Sequence, residues 1–289
     1  MKYMIAADSS ADLGALRAVP EESAGASVGL LHGACYGIAP LKITAGENEY
    51  TDDDSLDVDA MTESLAAHHG RSRTACPSPA DWENAFGDAE QVFCLPISSA
   101  LSGSYNSALN AARDYEQEHP GRRVHVVDTL LAGPSLMLLA ERLGEMMADG
   151  MDFDEMCAGI DEYKKSVNLI FMLSSMKNLA NNGRVNPLVA KAAGLLGIRI
   201  IGKASERGDL DVFEKSRGEA RSVTCIFESM KRLVYSGGKV RIGQIMNPSS
   251  AAQLRGKILS EFPEADVLIY RSRGLCSYYA ELGGLMIGF

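Results

Sequence analysis

The sequence lacks the residue patterns that mark metal and redox proteins. Its six cysteines form no C-x-x-C pair, and no two lie closer together than Cys76 and Cys94. Its five histidines include the neighbours His68 and His69, which on a helix point about 100° apart and so cannot share one ion as an i, i+4 pair can. We therefore predict that the protein has no metal site and no cofactor.

An excess of basic charge and long apolar runs are also missing. The chain has 28 Lys and Arg residues against 38 Asp and Glu, a net charge of -10, which argues against nucleic acid as its main partner. No apolar run approaches the roughly 20 residues that span a bilayer, and the N-terminal residues lead into a predicted strand rather than a signal peptide. We therefore expect a cytoplasmic protein with no membrane span.

Short runs rich in Val and Ile alternate with segments of helical period, which is typical of α/β proteins with a largely parallel sheet. The predicted strands are at 4–7, 38–44, 92–97, 124–128, 168–173, 198–202, 211–214, 240–246 and 267–270. The predicted helices are near 59–69, 79–87, 104–118, 134–149, 175–182, 186–194, 217–235 and 249–262.

The chain is long enough for two domains, and the end of a helical region places the predicted boundary near residue 160. Residues 1–160 would form an N-terminal α/β domain around the parallel sheet. Residues 161–289 would form a smaller α/β domain with a mixed sheet, because the tight loop at 206–209 favours antiparallel pairing. A ligand would lie between or under both domains.

Three matches to functional motifs are better explained by local structure. Residues 25–29 match G-x-S-x-G, but no strand precedes them. Residues 197–203 match most of a P-loop, but Ala204 replaces the hydroxyl that would hold Mg²⁺, and the intervening residues are typical of a strand. The acidic run at 52–54, with Asp57 and Asp59, lacks the ligand spacing of a calcium loop, so we expect a solvated acidic turn that favours the next helix N-terminus.

Two hydroxyl-rich segments remain. In residues 74–81, Ser78 and Pro79 suit the N-cap and first position of a helix, but capping does not account for Thr74. Residues 98–105 hold four serines directly after a predicted buried strand, at the sheet edge where open α/β sheets bind ligands. These serines either cap the following helix or, with its backbone N–H groups, bind an anionic group.

Several segments resemble one family. Residues 8–13 (DSSADL) are similar to its opening D-S-T-A-D-L, and Pro40-Leu41 with Tyr50-Thr51-Asp52 resembles its P-L…Y-x-D pattern. Residues 74–78 (TACPS) resemble T-S-Q-P-S, residues 97–105 (ISSALSGSY) resemble I-S-S-x-L-S-G-T-Y, and residues 182–185 (NGRV) resemble G-G-R-I. In order and spacing, the chain resembles the DegV family of fatty-acid-binding proteins.

The resemblance implies that the protein binds one long-chain fatty acid, with its carboxylate hydrogen-bonded by Thr74 and Ser99 and its tail in an apolar tunnel. Ser98 is a secondary candidate for the carboxylate, and Arg184 would lie near the ligand mouth. Tyr279 stands where the family often has a histidine, and Ala75-Cys76 replaces the family's S-Q.

Some members present the acid to a fatty acid kinase. Three basic residues match a family pattern, Lys215, Arg217 and Arg221, and on the predicted helix 217 and 221 would share one face. This basic stripe is either a solvated helix face or a docking site for the kinase or its bound nucleotide.

A different class of function is also open. Ser99 could be the nucleophile of a serine-dependent hydrolase or acyltransferase acting on the same acyl ligand. No Ser-His-Asp order or activated lysine accompanies the serines, which favours the non-enzymatic carrier. The candidate apolar residues of a tunnel are each more readily explained as ordinary core; they are Leu101, Phe171, Met172, Met176, Leu188, Leu195, Leu196, Leu285 and Met286.

Overall fold

The computed structural model describes residues 1–18, 29–190 and 197–289. Its strands are β1 (Tyr3–Asp8), β2 (Tyr36–Ala39), β3 (Lys42–Ala45), β4 (Asn48–Thr51), β5 (Ser72–Ala75), β6 (Gln91–Leu95), β7 (Arg123–Val126), β8 (Leu169–Leu173), β9 (Ile198–Ala204), β10 (Leu210–Arg217), β11 (Lys239–Gln244), β12 (Asp266–Arg271) and β13 (Leu285–Gly288). Its α-helices are α1 (Val58–Ala67), α2 (Pro79–Phe86), α3 (Ser104–Glu118), α4 (Pro134–Ala148), α5 (Phe153–Tyr163), α6 (Lys177–Asn181), α7 (Pro187–Ala190), α8 (Glu219–Arg232), α9 (Pro248–Glu261) and α10 (Gly274–Ala280).

A parallel sheet of four strands, in the order β2-β1-β6-β7, organises the first half of the chain. β1 and β6 are apolar along most of their length because both faces of this sheet are covered. Trp82 of α2 packs in the core on one face, and Leu136 of α4 and Phe153 of α5 pack in the core on the other. The predicted α/β class and parallel sheet are confirmed.

A mixed sheet of six strands, in the order β10-β9-β8-β13-β11-β12, organises the second half. β9 and β10 pair antiparallel through the tight loop that the sequence indicated. One face of the sheet packs against α8 and α9. The other face lies against α4 of the first half and also forms part of the cavity described below.

Buried charge joins α4 to the mixed sheet. Glu141 of α4 accepts hydrogen bonds of 2.6 and 2.7 Å from the guanidinium of Arg241 in β11, and both side chains are fully buried. Arg241 also donates to Asp266 at 2.7 Å, and Lys239 lies 3.2 Å from Glu141. The two halves are therefore joined by a fully buried ion pair with two partly exposed neighbours, and the domain boundary near residue 160 stays a prediction.

Some predicted elements were wrong in their bounds. The strand predicted at 38–44 is two strands, β2 in the parallel sheet and β3 in a separate antiparallel sheet with β4 and β5, and Pro40, which has no N–H to donate, lies at the break. The helix predicted from residue 217 begins at Glu219, because Arg217 still pairs with Ile198 as the last residue of β10. Arg217 and Arg221 therefore do not share a helix face.

Other predictions fall partly or wholly outside the described residues: the helix at 186–194 is described only as far as residue 190, and the G-x-S-x-G match only at Gly29. In the described ranges, no helix is both long and apolar enough to cross a membrane.

Candidate functional site

A largely apolar cavity of about 680 Å³, including its open mouth, lies between the mixed sheet and elements of the first half. The lining residues come from both halves of the chain. They are Ser10, Leu41, Thr74, Ile97, Leu101, Ser102, Ala132, Leu169, Phe171, Leu173, Leu179, Arg184, Leu210, Leu275, Cys276, Tyr279, Ala280 and Met286.

Three of the apolar residues that were candidates for a tunnel lie in the wall of this cavity. They are Leu101, Phe171 and Met286. The other described candidates have different positions. Met172, Met176 and Leu285 are buried in the core clusters, and Leu188 is exposed. Leu195 and Leu196 lie outside the described residues.

Thr74 and Tyr279 form a hydrogen-bonded pair in the cavity wall. The Thr74 Oγ1 and Tyr279 Oη atoms are 2.7 Å apart, although these residues lie on β5 and α10 and are 205 positions apart in the chain. Burial raises the pKa of the Tyr279 phenol above its usual value, and this outweighs the hydrogen bond from Thr74 and the positive charge of Arg184, which lower it. The phenol is therefore neutral at pH 7 and can donate a hydrogen bond to an anion.

Arg184 contributes a positive charge to the same wall. Its Nε donates to the carbonyl of Leu101 at 2.9 Å, and its Nη1 donates to the carbonyl of Asn182. Within the described ranges, its guanidinium has no carboxylate partner at ion-pair distance. We call Thr74, Tyr279 and Arg184 the head cluster, since a neutral donor, a hydroxyl and an uncompensated cation together suit an anionic ligand group.

Ser98 and Ser99 do not line the cavity. Ser98 is fully buried, and its Oγ donates to the carbonyl of Gly208 in the β9–β10 loop at 2.8 Å. Ser99 is exposed, and its Oγ donates to Asp128 Oδ2 at 2.6 Å. The structure thus brings together three of the five predicted ligand residues, and a carboxylate contact at Ser98 or Ser99 stays a prediction.

Two serines that line the cavity were missed. Ser10 follows β1, and its Oγ donates to Asp8 at 2.5 Å. Ser102 accepts a hydrogen bond from the backbone N–H of Ser104, at the start of α3. The available signals were the polar run after the first strand and the third serine of the segment at 98–105, but neither sequence position indicates which side chain faces the cavity.

The prediction of a solvated acidic turn is wrong for Asp52, which is only 2% exposed, whereas Asp54 is exposed and Asp53 is half-buried. Its two carboxylate oxygens accept hydrogen bonds of 2.8 Å from the N–H groups of Gly274 and Leu275, at the start of α10. The helix that Asp52 stabilises is therefore distant in sequence. Asp57 caps α1, the next helix in the chain, as the sequence predicted for this acidic segment.

A second buried carboxylate, Asp12, supports the same region by accepting a hydrogen bond of 2.9 Å from the N–H of Arg273. Burial raises the pKa of Asp12 to about 7; the N–H of Arg273 opposes this shift, and the negative charge of Asp52 adds to it. In the folded protein Asp12 therefore keeps a proton that the unfolded chain releases near pH 4.

This difference predicts how stability depends on pH. As the pH rises from about 4 to 7, Asp12 should lower the free energy of unfolding by up to about 1.4 kcal/mol per pH unit. Asp12→Asn should remove that contribution, and asparagine tolerates the left-handed backbone conformation found there. Urea titrations of both proteins across this range test the prediction, which fails if the two stabilities change in parallel.

Comparison with known proteins agrees with the resemblance seen in the sequence. A family model described as "Uncharacterised protein, DegV family" matches residues 35–288. A DegV domain-containing protein of Streptococcus pneumoniae is 40% identical over 250 residues, which are 86% of this chain and 89% of that protein.

Two solved structures are similar over nearly their whole length. A DegV family protein from Eubacterium eligens, loaded with heptadecanoic acid, is 37% identical with a TM-score of 0.91, and the match covers 99% of this chain and 98% of that one. The Fatty Acid Kinase (Fak) B3 protein of Streptococcus pneumoniae, loaded with linoleic acid, is 37% identical with a TM-score of 0.92, covering 100% and 99%. By sequence and by fold, this chain belongs to the DegV family.

Proposed function

We propose that the protein binds one long-chain fatty acid in the cavity and presents it to a fatty acid kinase, which forms an acyl phosphate. The observation that carries the proposal is an apolar cavity of about 680 Å³ with the head cluster in its wall. The tail lies along the apolar lining, and the carboxylate contacts Thr74, Tyr279 and Arg184. The two solved relatives loaded with fatty acids support this assignment.

Burial of the tail supplies most of the affinity. At about 0.8 kcal/mol per CH₂, a tail of about 14 methylenes gains roughly 11 kcal/mol before the costs of association are subtracted. Each head contact adds about 0.5–3 kcal/mol and distinguishes a carboxylate from an alcohol. The cavity therefore determines how tightly the ligand is held, and the head cluster determines its orientation and charge.

A head cluster with only one cation suits a carrier that hands its ligand to another enzyme. A guanidinium bound bidentately would hold both carboxylate oxygens, whereas the kinase must reach one of them. The Nε and Nη1 atoms of Arg184 already donate to the carbonyls of Leu101 and Asn182, which disfavours that geometry. The carrier itself performs no chemistry in this proposal. Ser99 is bonded to Asp128 rather than to a histidine, so the arrangement around it does not favour the hydrolase alternative.

Three exposed basic residues are the proposed docking site for the kinase. Lys215 and Arg217 lie on β10, and Arg221 follows in the first turn of α8. On a chain with a net charge of -10, this small group can steer an acidic surface of the partner.

Charge reversal tests this docking site. Arg217→Glu with Arg221→Glu should reduce formation of the acyl phosphate by the kinase by about tenfold or more and leave fatty acid binding unchanged. The matched control is Arg113→Glu with Arg255→Glu, which changes net charge equally on α3 and α9. Equal acyl phosphate formation by the two double variants would rule out the site.

Native mass spectrometry of the purified protein tests the carrier function itself. We expect one fatty acid per chain, released by organic solvent and rebound when a fatty acid is added. Covalent modification of Ser99 by a serine-reactive probe, together with turnover of an acyl ester, would instead support the hydrolase. A protein that neither binds a fatty acid nor reacts with the probe contradicts both.

A cytoplasmic location is part of the proposal. All six cysteines are free thiols, which suits a reducing compartment. A kinase partner that consumes a nucleotide would be found in the same compartment.

A further inference from the structure

Gly202 in β9 and Phe171 in β8 are direct partners in the mixed sheet. Phe171 lines the cavity and is only 3% exposed. A Cβ atom added to Gly202 would overlap the Cζ and Cε2 atoms of the Phe171 ring. The ring therefore lies across the backbone of β9, in the space that any other residue at 202 would occupy.

This arrangement affects the width of the cavity. On its other side, Phe171 pairs with Met286 of β13, which also lines the cavity. Paired residues of neighbouring strands project from the same face of a sheet. A ring that could not lie over Gly202 would have to stand up from the sheet beside Met286, into the space of the acyl tail.

We propose that Gly202 is a specificity-determining residue for the acyl chain. By letting Phe171 lie flat against the sheet, it keeps the cavity wide enough for a kinked tail that contains a cis double bond. This inference rests on the proposed fatty acid binding, and it adds which shapes of acyl tail the cavity accepts. It also gives a physical reason for the second glycine of the P-loop-like match at 197–203: this glycine allows close approach of an aromatic ring, not of a phosphate.

A competition between stearate and oleate tests the proposal, since the two acids differ only in one cis double bond. Each protein is incubated with an equimolar mixture, and the bound acids are extracted and quantified by mass spectrometry. Gly202→Ala should lower the ratio of bound oleate to stearate by about tenfold. Combining it with Phe171→Leu should restore the ratio to within about twofold of the wild type, because the smaller side chain no longer needs the space.

Gly243→Ala is the matched control. Gly243 pairs with Met286 in the same sheet, and an added Cβ would meet Ser272 and Tyr270, neither of which lines the cavity. The ratio of bound oleate to stearate in Gly243→Ala should equal that of the wild type. An added Cβ at residue 202 also comes within 2.5 Å of the Asp211 carbonyl, so Phe171→Trp provides a second test that leaves this contact unchanged and should lower the ratio in the same direction.

The outcomes separate this proposal from the proposed function. A wild-type protein that binds neither acid overturns both. Suppose instead that the wild type binds both acids, but that the ratio of bound oleate to stearate is the same as in the wild type for a folded Gly202→Ala protein or for Phe171→Trp. Only the role of Gly202 is then overturned. Failure of Phe171→Leu to rescue Gly202→Ala also overturns it, because the effect then comes from the β10 backbone and not from the ring.

Discussion

Glu141→Leu is expected to lower the free energy of unfolding by about 3–5 kcal/mol, since it removes one partner of a buried ion pair. Burial alone would lower the pKa of Arg241, but the hydrogen bonds and charges of Glu141 and Asp266 outweigh it and raise the pKa. Without Glu141, the carboxylate partner left to the guanidinium among the described residues is Asp266, whose side chain is 58% exposed. Urea unfolding followed by circular dichroism measures the loss.

A second variant shows whether the cost comes from the unpaired charge. Glu141→Leu combined with Arg241→Met replaces the pair by apolar groups of similar size, and it should be more stable than Glu141→Leu alone. Asp266→Asn, which changes only the exposed member, should cost less than about 1 kcal/mol. A double variant no more stable than Glu141→Leu would mean that packing, not charge, is the source of the loss.

Arg184→Met is expected to weaken fatty acid binding by about 10–100-fold, or about 1.5–3 kcal/mol, because the head cluster loses its only cation. The long apolar side chain of methionine keeps the cavity wall closed. The affinity is measured by displacement of a fluorescent fatty acid from protein stripped of its ligand.

A fatty alcohol of the same length separates charge recognition from structural damage. Its affinity should be nearly unchanged in Arg184→Met, since an alcohol has no charge to pair. Arg207→Met, in the exposed loop between β9 and β10, is the control for loss of a positive charge elsewhere. An equal loss of affinity for acid and alcohol would mean that the hydrogen bond from Arg184 to Leu101 maintains the cavity instead.

Local sequence predicted the parts of the fold that depend on local interactions. The apolar runs of β1 and β6 indicate a sheet covered on both faces, and Ser78 and Pro79 begin α2 as expected, with a capping box to Asp81. The short strands β4, β5 and β13 were not predicted. Each has four residues, too few for a clear alternation, and their pairing is determined by distant partners.

The candidate site shows the same limit. Family motifs indicated Thr74, Arg184 and Tyr279, which the structure brings to one wall. They could not indicate that Ser99 faces away from the cavity, or that Ser10 faces into it. Asp52 was expected in solvent because its neighbours are acidic, yet its hydrogen-bond partners in α10 lie more than 200 residues away. Long-range register, which decides each of these cases, is not encoded in any local pattern.

The position of β13 between β8 and β11 constrains the order in which the chain folds during synthesis. β13 is synthesised after every other strand of the described residues, yet it lies between two strands, one of which precedes it by up to about 120 residues. Until it is inserted, β8 and β11 each expose a backbone edge, and Met286 is absent from the cavity wall. The mixed sheet therefore cannot be completed until residue 288 emerges from the ribosome, and the cavity wall stays incomplete until then.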